Sequence, residues 1–245
     1  MTADTGTRDF HVILVTGATR GIGRAVVRRL ARQGHAVIAA HRSPDVGRSG
    51  EDRTHDIQLD VTDAASIARA TEGIQGRFGR LDGIINNAAV FVPTRALEAD
   101  RAAFDAMMQT NVFGAWSVIA AALPLLGRSR RAKIVNVSSS TASLGLTAGG
   151  VPLPGEAHRR AGYCASKAAL NMMSIHIAQA LHADRDTRHV GVSVVSPGFT
   201  ATRMNGFNQD GASTEYAART VCAEYFTRRG PGHCHFSGPE GDLPW

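Results

Sequence analysis

The chain has 245 residues, 43% of them hydrophobic and 20% charged. That is enough to bury a substantial core, and it excludes collagen-like, low-complexity and disulfide-scaffold chains. The formal net charge is +6, carried by 25 Arg and only two Lys, Lys133 and Lys167. The arginines are scattered in short pairs such as Arg130-Arg131 and Arg228-Arg229. They lack the aromatic-interleaved stripe of a nucleic-acid binder, so no nucleic-acid partner is expected. No run of about 18 apolar residues suggests a membrane span. Residues 1–10 read as a flexible N-terminus without the apolar segment of an export signal, which points to the cytoplasm. Three widely spaced cysteines, Cys164, Cys222 and Cys234, read as reduced thiols.

Strand-length apolar runs alternate with helix-period segments along the chain. Strands are predicted at 11–15, 36–40, 56–60, 83–85, 134–137 and 190–195. Helical spacing follows the first run from Ile22 to Leu30, and recurs at 64–78, 100–126, 163–181 and 214–225. The strands are continuous apolar runs, as expected for strands buried on both faces. The pattern predicts an α/β domain, a parallel sheet with helices on both sides. No linker divides the chain, so a single domain over 11–245 is expected. Two segments break the rhythm. Residues 43–55 are too polar and glycine-rich for an ordinary crossover helix. Residues 141–162 form a long insertion rich in Gly and Pro, the kind of loop that often serves function.

The turn Thr16-Gly17-Ala18-Thr19-Arg20-Gly21-Ile22-Gly23 falls between the first strand and the first helix. Glycines there let a backbone approach a pyrophosphate, and the helix N-terminus offers N–H groups and a positive dipole end. The alternative is a plain tight turn. The spacing is T-G-x-x-x-G-x-G, and here the chain resembles the short-chain dehydrogenase/reductase family. The resemblance continues through Asn86-Asn87-Ala88-Ala89, similar to the family's N-N-A-G with Ala89 in place of Gly. It continues through Ser139 at the end of the fifth strand and Tyr163-Cys164-Ala165-Ser166-Lys167, which matches Y-x-x-S-K. Pro197-Gly198 follows the sixth strand, and the ending Gly241–Trp245 looks like that of the carbonyl-reductase-like branch.

The resemblance implies a Rossmann-like doubly wound parallel sheet that binds a nicotinamide dinucleotide. It implies cofactor contacts from Gly17, Thr19, Arg20, Gly21, Ile22 and Gly23, and an adenine contact from Asp60 and Val61. Asn87, Ala88 and Ala89 would line the groove, while Asn86 stabilises the sheet. Pro197, Gly198, Thr200 and Thr202 would meet the nicotinamide end, as would Tyr163 and Lys167. A 2′-phosphate needs cations, and a bare ribose hydroxyl prefers an acid. The second strand ends in His41-Arg42 with no acid, and Arg20 sits in the turn. Guanidinium groups suit a phosphate, so NADP(H) is expected. The competing reading makes both arginines ordinary surface residues.

Tyr163 and Lys167 stand four residues apart on a predicted helix, hence on one face. A nearby ammonium favours the phenolate. The pair could therefore exchange a proton with a carbonyl or alcohol oxygen. The plain alternative is a core tyrosine with a surface lysine. The resemblance makes Tyr163, Lys167, Ser139 and Asn111 the catalytic set, with Ser139 holding the substrate oxygen and Asn111 a water beside Lys167. Ser138 and Ser140 would be structural. Reversible NADP(H)-linked reduction of a ketone or aldehyde is the expected activity on a small carbonyl or alcohol substrate. Less favoured are a cofactor-sensing protein and an epimerase or dehydratase. The insertion points to a monomer or dimer. His233-Cys234-His235 lacks a partner cluster and reads as a strand, so no metal is expected. Met204 and Phe207 are expected to line the pocket, and Met172-Met173 the core.

Overall fold

The computed structural model describes residues 10–43, 52–150, 159–230 and 232–245. Within the first strand, β1 (Val12–Val15), Val12 and Leu14 belong to one buried cluster, and Ile13 and Val15 to another. Successive side chains of a strand face opposite sides, so this strand needs cover on both. Helices α1 (Gly21–Arg32) and α7 (Thr214–Phe226) cover one face through Val26, Leu30, Val221 and Tyr225. Helices α2 (Ala64–Phe78), α4 (Ala115–Leu126) and α6 (Ala161–Ala183) cover the other through Ile67, Ile74, Val118, Ile119 and Leu181.

The remaining strands are β2 (Ala36–His41), β3 (Thr54–Gln58), β4 (Gly83–Asn86), β5 (Lys133–Val137), β6 (Gly191–Val195), β7 (Cys234–Gly238) and β8 (Gly241–Asp242). They form one sheet in the order β3-β2-β1-β4-β5-β6-β7-β8. Every pairing is parallel except β7 with β8. The expected doubly wound α/β fold is therefore present. The chain runs outward from β1 to β3 and returns at β4, so a crevice opens beyond the C-terminal ends of β1 and β4.

Local boundaries differ in instructive ways. The third strand lies at 54–58 rather than 56–60, because β2 pairs from Val37↔Thr54 to His41↔Gln58. The long helix at 100–126 is three pieces: α3 (Arg101–Met108), a π-helical turn (Gln109–Gly114) and α4. A Cβ on Gly114 would stand 2.8 Å from Val61 Cγ2, so this turn passes close to the loop after β3. Arg101–Leu126 has the length and hydropathy to cross a membrane, but half of its apolar window is buried inside the protein. It is a core helix. The 141–162 insertion is less irregular than expected, with a 3-10 turn at Ser140–Ala142 and the short helix α5 (Leu144–Ala148). The C-terminus clasps it: Gly145 N–H donates to Trp245 O at 2.8 Å, and the Trp245 ring stacks on Phe236. Residues 151–158 of the insertion, 44–51 of the β2–β3 connection and 1–9 of the N-terminus lie outside the described residues. Met172 is 55% exposed, so the expected core role fails for it; it sits on the outer side of α6.

A buried polar chain crosses the sheet. Asn86 Nδ2 donates to Asn136 Oδ1 at 2.9 Å, Asn136 Nδ2 to Ser174 Oγ at 2.8 Å, and Ser174 Oγ to Leu170 O at 2.6 Å. It ties β4, β5 and α6 together. Replacing Asn136 with Leu leaves the buried Asn86 amide only a long 3.5 Å bond to Ala115 O and strips Ser174 Oγ of its donor. Such an unsatisfied group costs about 1–3 kcal/mol. The variant is expected to lose about 2 kcal/mol or more of stability in urea unfolding, while an Asn on the exposed surface replaced the same way loses none.

Candidate active site

At the end of β1 the chain turns sharply into α1. Gly17 and Gly21 take φ of +65° and +55°, a region that favours glycine. A Cβ on Gly17 would lie 2.9 Å from Ala88 Cα, and one on Gly23 only 2.3 Å from Gly17 O. The turn is pinned to the loop after β4. Thr16 Oγ1 accepts from Asn87 N and Ala88 N, both at 3.1 Å, and Asn87 Nδ2 donates to Thr16 O and Gly17 O. The Asn87 amide nitrogen is thus committed to the turn itself. Arg20 occupies the N-cap position of α1 without a side-chain hydrogen bond, and no acid lies in the first turn. An uncapped N-terminus with glycines at its mouth fits the pyrophosphate of a dinucleotide.

The residues expected at an adenine lie at the same end of the sheet. Ala18 N–H donates to Ala40 O at 3.0 Å, which sets the glycine turn beside the end of β2. Arg20 and Arg42 are both exposed there. His41 is buried, with its Nδ1 donating to Ser43 O at 2.7 Å. Asp60 Oδ1 accepts from Thr62 N–H and Thr62 Oγ1–H. Desolvation opposes ionisation of Asp60, yet the Thr62 bonds and the nearby Arg42 charge hold its carboxyl below the usual range. Arg42 and Asp60 therefore share one neighbourhood, with Val61 buried beside it.

A cavity of about 430 Å³ continues from the α1 N-terminus across the ends of β5 and β6. Ile22, Ser139, Tyr163, Pro197, Gly198, Thr200 and Thr202 all line it. Ser139 Oγ lies 2.9 Å from Thr141 Oγ1. Ser138 also lines the cavity, and its Oγ donates to Asn171 Oδ1 at 2.7 Å, fixing the end of β5 against α6. Ser140 N–H donates to Ser196 Oγ at 3.0 Å, a link to β6. Asn205, which the sequence did not flag, accepts from Thr202 N–H and donates to Thr200 O, so it shapes the loop of both threonines. Phe91 meets the Tyr163 ring edge-on at 5.6 Å. Met204 lines the cavity as expected. Phe207 does not; it is 66% exposed at a positive φ of 57°.

One expectation changes at the Tyr163–Lys167 pair. Lys167 Nζ donates to Val137 O at 2.8 Å, and lies 5.9 Å from the centre of the Tyr163 ring. Burial and the neighbouring Cys164 push the Tyr163 phenol up to about 12, against a smaller opposite pull from Arg160. Desolvation is the largest cause, so the phenol is not the acidic one that the spacing of the pair suggested. Burial lowers Lys167 to about 8. Asn111 sits in the π-helical turn and spends its amide on protein: Nδ2 donates to Val90 O and Ser166 Oγ, and Oδ1 accepts from Val90 N–H. Its side chain anchors the loop after β4 to α6. Among the described residues no cluster of metal-ligating side chains occurs. Cys164, Cys222 and Cys234 form no disulfide.

A doubly wound parallel sheet with a glycine cradle beside a Ser, Tyr and Lys group defines a nucleotide-binding α/β protein. The chain belongs to the short-chain dehydrogenase family, whose model matches residues 11–212. That family consists of oxidoreductases. A 3-ketodihydrosphingosine reductase of Bacteroides thetaiotaomicron is 32% identical over 215 residues, covering 83% of this chain and 72% of that protein. A sorbitol dehydrogenase of Cereibacter sphaeroides is 30% identical over 214 residues, covering 85% of this chain and 76% of the relative. Among solved structures, NADPH-bound carbonyl reductase from chicken fatty liver superposes with a TM-score of 0.84 at 23% identity. The match covers 96% of this chain and 99% of the reductase. At that identity the likeness is one of fold.

The lowered Lys167 has a thermodynamic consequence. Its ordinary value is 10.5 and its folded value about 8, so between these the unfolded chain holds more protons. Stability from this group therefore rises with pH across that window. Relative to Lys167→Met, the wild type is expected to gain up to about 3 kcal/mol between pH 8 and 10.5, read by denaturant unfolding at each pH. A constant difference across the window would mean that Lys167 is not desolvated.

Proposed function

We propose that this protein is an NADP(H)-dependent reductase of small ketones or aldehydes, reversible toward the alcohol. One observation carries the reading: a single cavity joins the uncapped N-terminus of α1, through Ile22, to Ser139 and Tyr163. A bound nicotinamide dinucleotide would supply the hydride. The chain's own groups would do the rest. Gly17, Thr19, Gly21 and Gly23 give the pyrophosphate its backbone cradle. Asp60 and Val61 border the adenine, and Ala88 and Ala89 flank the groove. Pro197, Gly198, Thr200 and Thr202 close the nicotinamide end, with Asn205 holding their loop.

Tyr163 is the proton donor. A phenol whose pKa is about 12 stays neutral at physiological pH, so it can give a proton to a developing alkoxide. Ser139 donates a hydrogen bond to that oxygen where negative charge grows. Lys167 holds a proton beside the ring, anchored on Val137 O. Asn111 acts by positioning, through Val90 and Ser166. Arg20 and Arg42 are the 2′-phosphate ligands of this reading, in the absence of an acid at the end of β2. The NADPH-bound carbonyl reductase of the same fold supports that choice. The three unpaired thiols accord with a cytoplasmic location and belong to the same proposal. So does a monomer or dimer as the working unit.

Tyr163→Phe is expected to lower turnover at least about 100-fold, measured by loss of NADPH absorbance against a panel of ketones and aldehydes. Retention of more than about a tenth of wild-type turnover would sink the proton-donor role. Cofactor binding without turnover on any carbonyl would leave a binding protein only. For the cofactor, the double variant Arg20→Ala/Arg42→Ala is expected to weaken NADPH binding at least about tenfold with little change for NADH, read by fluorescence titration. Equal loss for both nucleotides would reject the phosphate assignment.

A further inference from the structure

A second cavity, of about 840 Å³, opens at the other end of the sheet. It lies beside the N-terminal ends of β1, β5 and β6, whereas the reaction cleft lies beyond C-terminal ends. Its wall carries Arg130, Arg131, Lys133, Arg188, Arg228 and Arg229, and among the described residues no Asp or Glu lines it. These cations come from three separate stretches of chain: the approach to β5, the approach to β6 and the segment after α7. Nothing in local sequence periodicity requires them to meet.

Part of this charge is balanced from behind. Buried Glu224 lies 3.6 Å from Lys133 Nζ, and Asp242 holds Arg229 at 2.6 Å. Lys133 Nζ also donates to Thr227 O at 3.2 Å. Among the described residues no ion pair engages Arg130, Arg188 or Arg228. Converging cations on a concave wall repel one another, and a protein wall focuses their field into the cavity. An anion relieves that repulsion. Guanidinium groups match phosphate oxygens in a bidentate manner. The shape argues for a small molecule: the charges surround a hollow of ligand size instead of forming an open stripe.

We infer that this cavity is a second binding site, for a small molecule carrying two or more phosphate groups. The site is remote from the reaction cleft, and the inference does not rest on the proposed reductase chemistry. The test is calorimetric titration of the full chain with tripolyphosphate at low salt. Three proteins are compared: wild type, Arg130→Ala/Arg188→Ala/Arg228→Ala, and Arg20→Ala/Arg42→Ala. The wild type is expected to bind, the triple variant to bind at least about tenfold more weakly, and the double variant to keep a binding event of wild-type strength. All three changed arginines of the triple variant are exposed, so its thermal midpoint and its NADPH binding are expected to match wild type. Undiminished tripolyphosphate binding in the triple variant would overturn the inference. So would its disappearance in the double variant, which would place the anion in the cofactor cleft. Absence of tripolyphosphate binding in the wild type, with binding to phosphatidylglycerol vesicles or duplex DNA that the triple variant loses, would overturn it in favour of a macromolecular polyanion.

Discussion

A close backbone approach governs the geometry of the cleft. The glycine turn after β1 touches both itself and the loop after β4. A single methyl on Gly23 would run into Gly17 O at 2.3 Å, and one on Gly17 would run into Ala88. Asn87 then stitches the two segments with its side-chain amide, and Thr16 accepts from two backbone N–H groups. A wider turn would push α1 away from β4. Because Asn86 pairs with Asn136 in register, that displacement would also separate the α1 N-terminus from the end of β5, where Ser139 stands. The width of the glycine turn and the placement of Ser139 are thus one constraint.

Helix α6 must present Tyr163 to that cleft at a defined rotation. Apolar packing alone specifies helix rotation loosely, since hydrophobic contact is non-directional. Four polar threads supply direction. Lys167 binds Val137 O, Ser166 accepts from Asn111, Asn171 accepts from Ser138, and Ser174 accepts from Asn136. Each contributes little net stability when made, but breaking one strands a buried group. Their role is therefore specification more than strength. The two ends of the sheet divide the chemistry: glycines, hydroxyls and the phenol at one, a ring of cations at the other.

Much of the fold was legible because it follows local rules. Helix α2 occupies 64–78 as its spacing predicts, and β4, β5 and β6 agree with their apolar runs to within a residue. The third strand slipped because its ends are set by pairing with β2, not by its own pattern. The π-helical turn was invisible because periodicity over 100–126 is nearly continuous; the close pass of Gly114 over Val61 involves a residue 53 positions away. The site shows the same division. Glycine spacing and the four-residue step from Tyr163 to Lys167 could be read from the chain. The partners of Asn111, Asn87 and Asn205 could not, since an amide's hydrogen bonds depend on which loops arrive beside it.

The amino-acid sequence by itself determined the order of strands and helices, the glycine turn and the shared face of Tyr163 and Lys167, because each depends on neighbours within a few residues. Tertiary structure decided the electrostatics. Burial raised the Tyr163 phenol and lowered the Lys167 ammonium, where adjacency in sequence had suggested an acidic phenol. It also gathered Arg130, Arg188 and Arg228 around one hollow. Desolvation and charge convergence are sums over atoms from distant segments, and only the folded chain brings those atoms together.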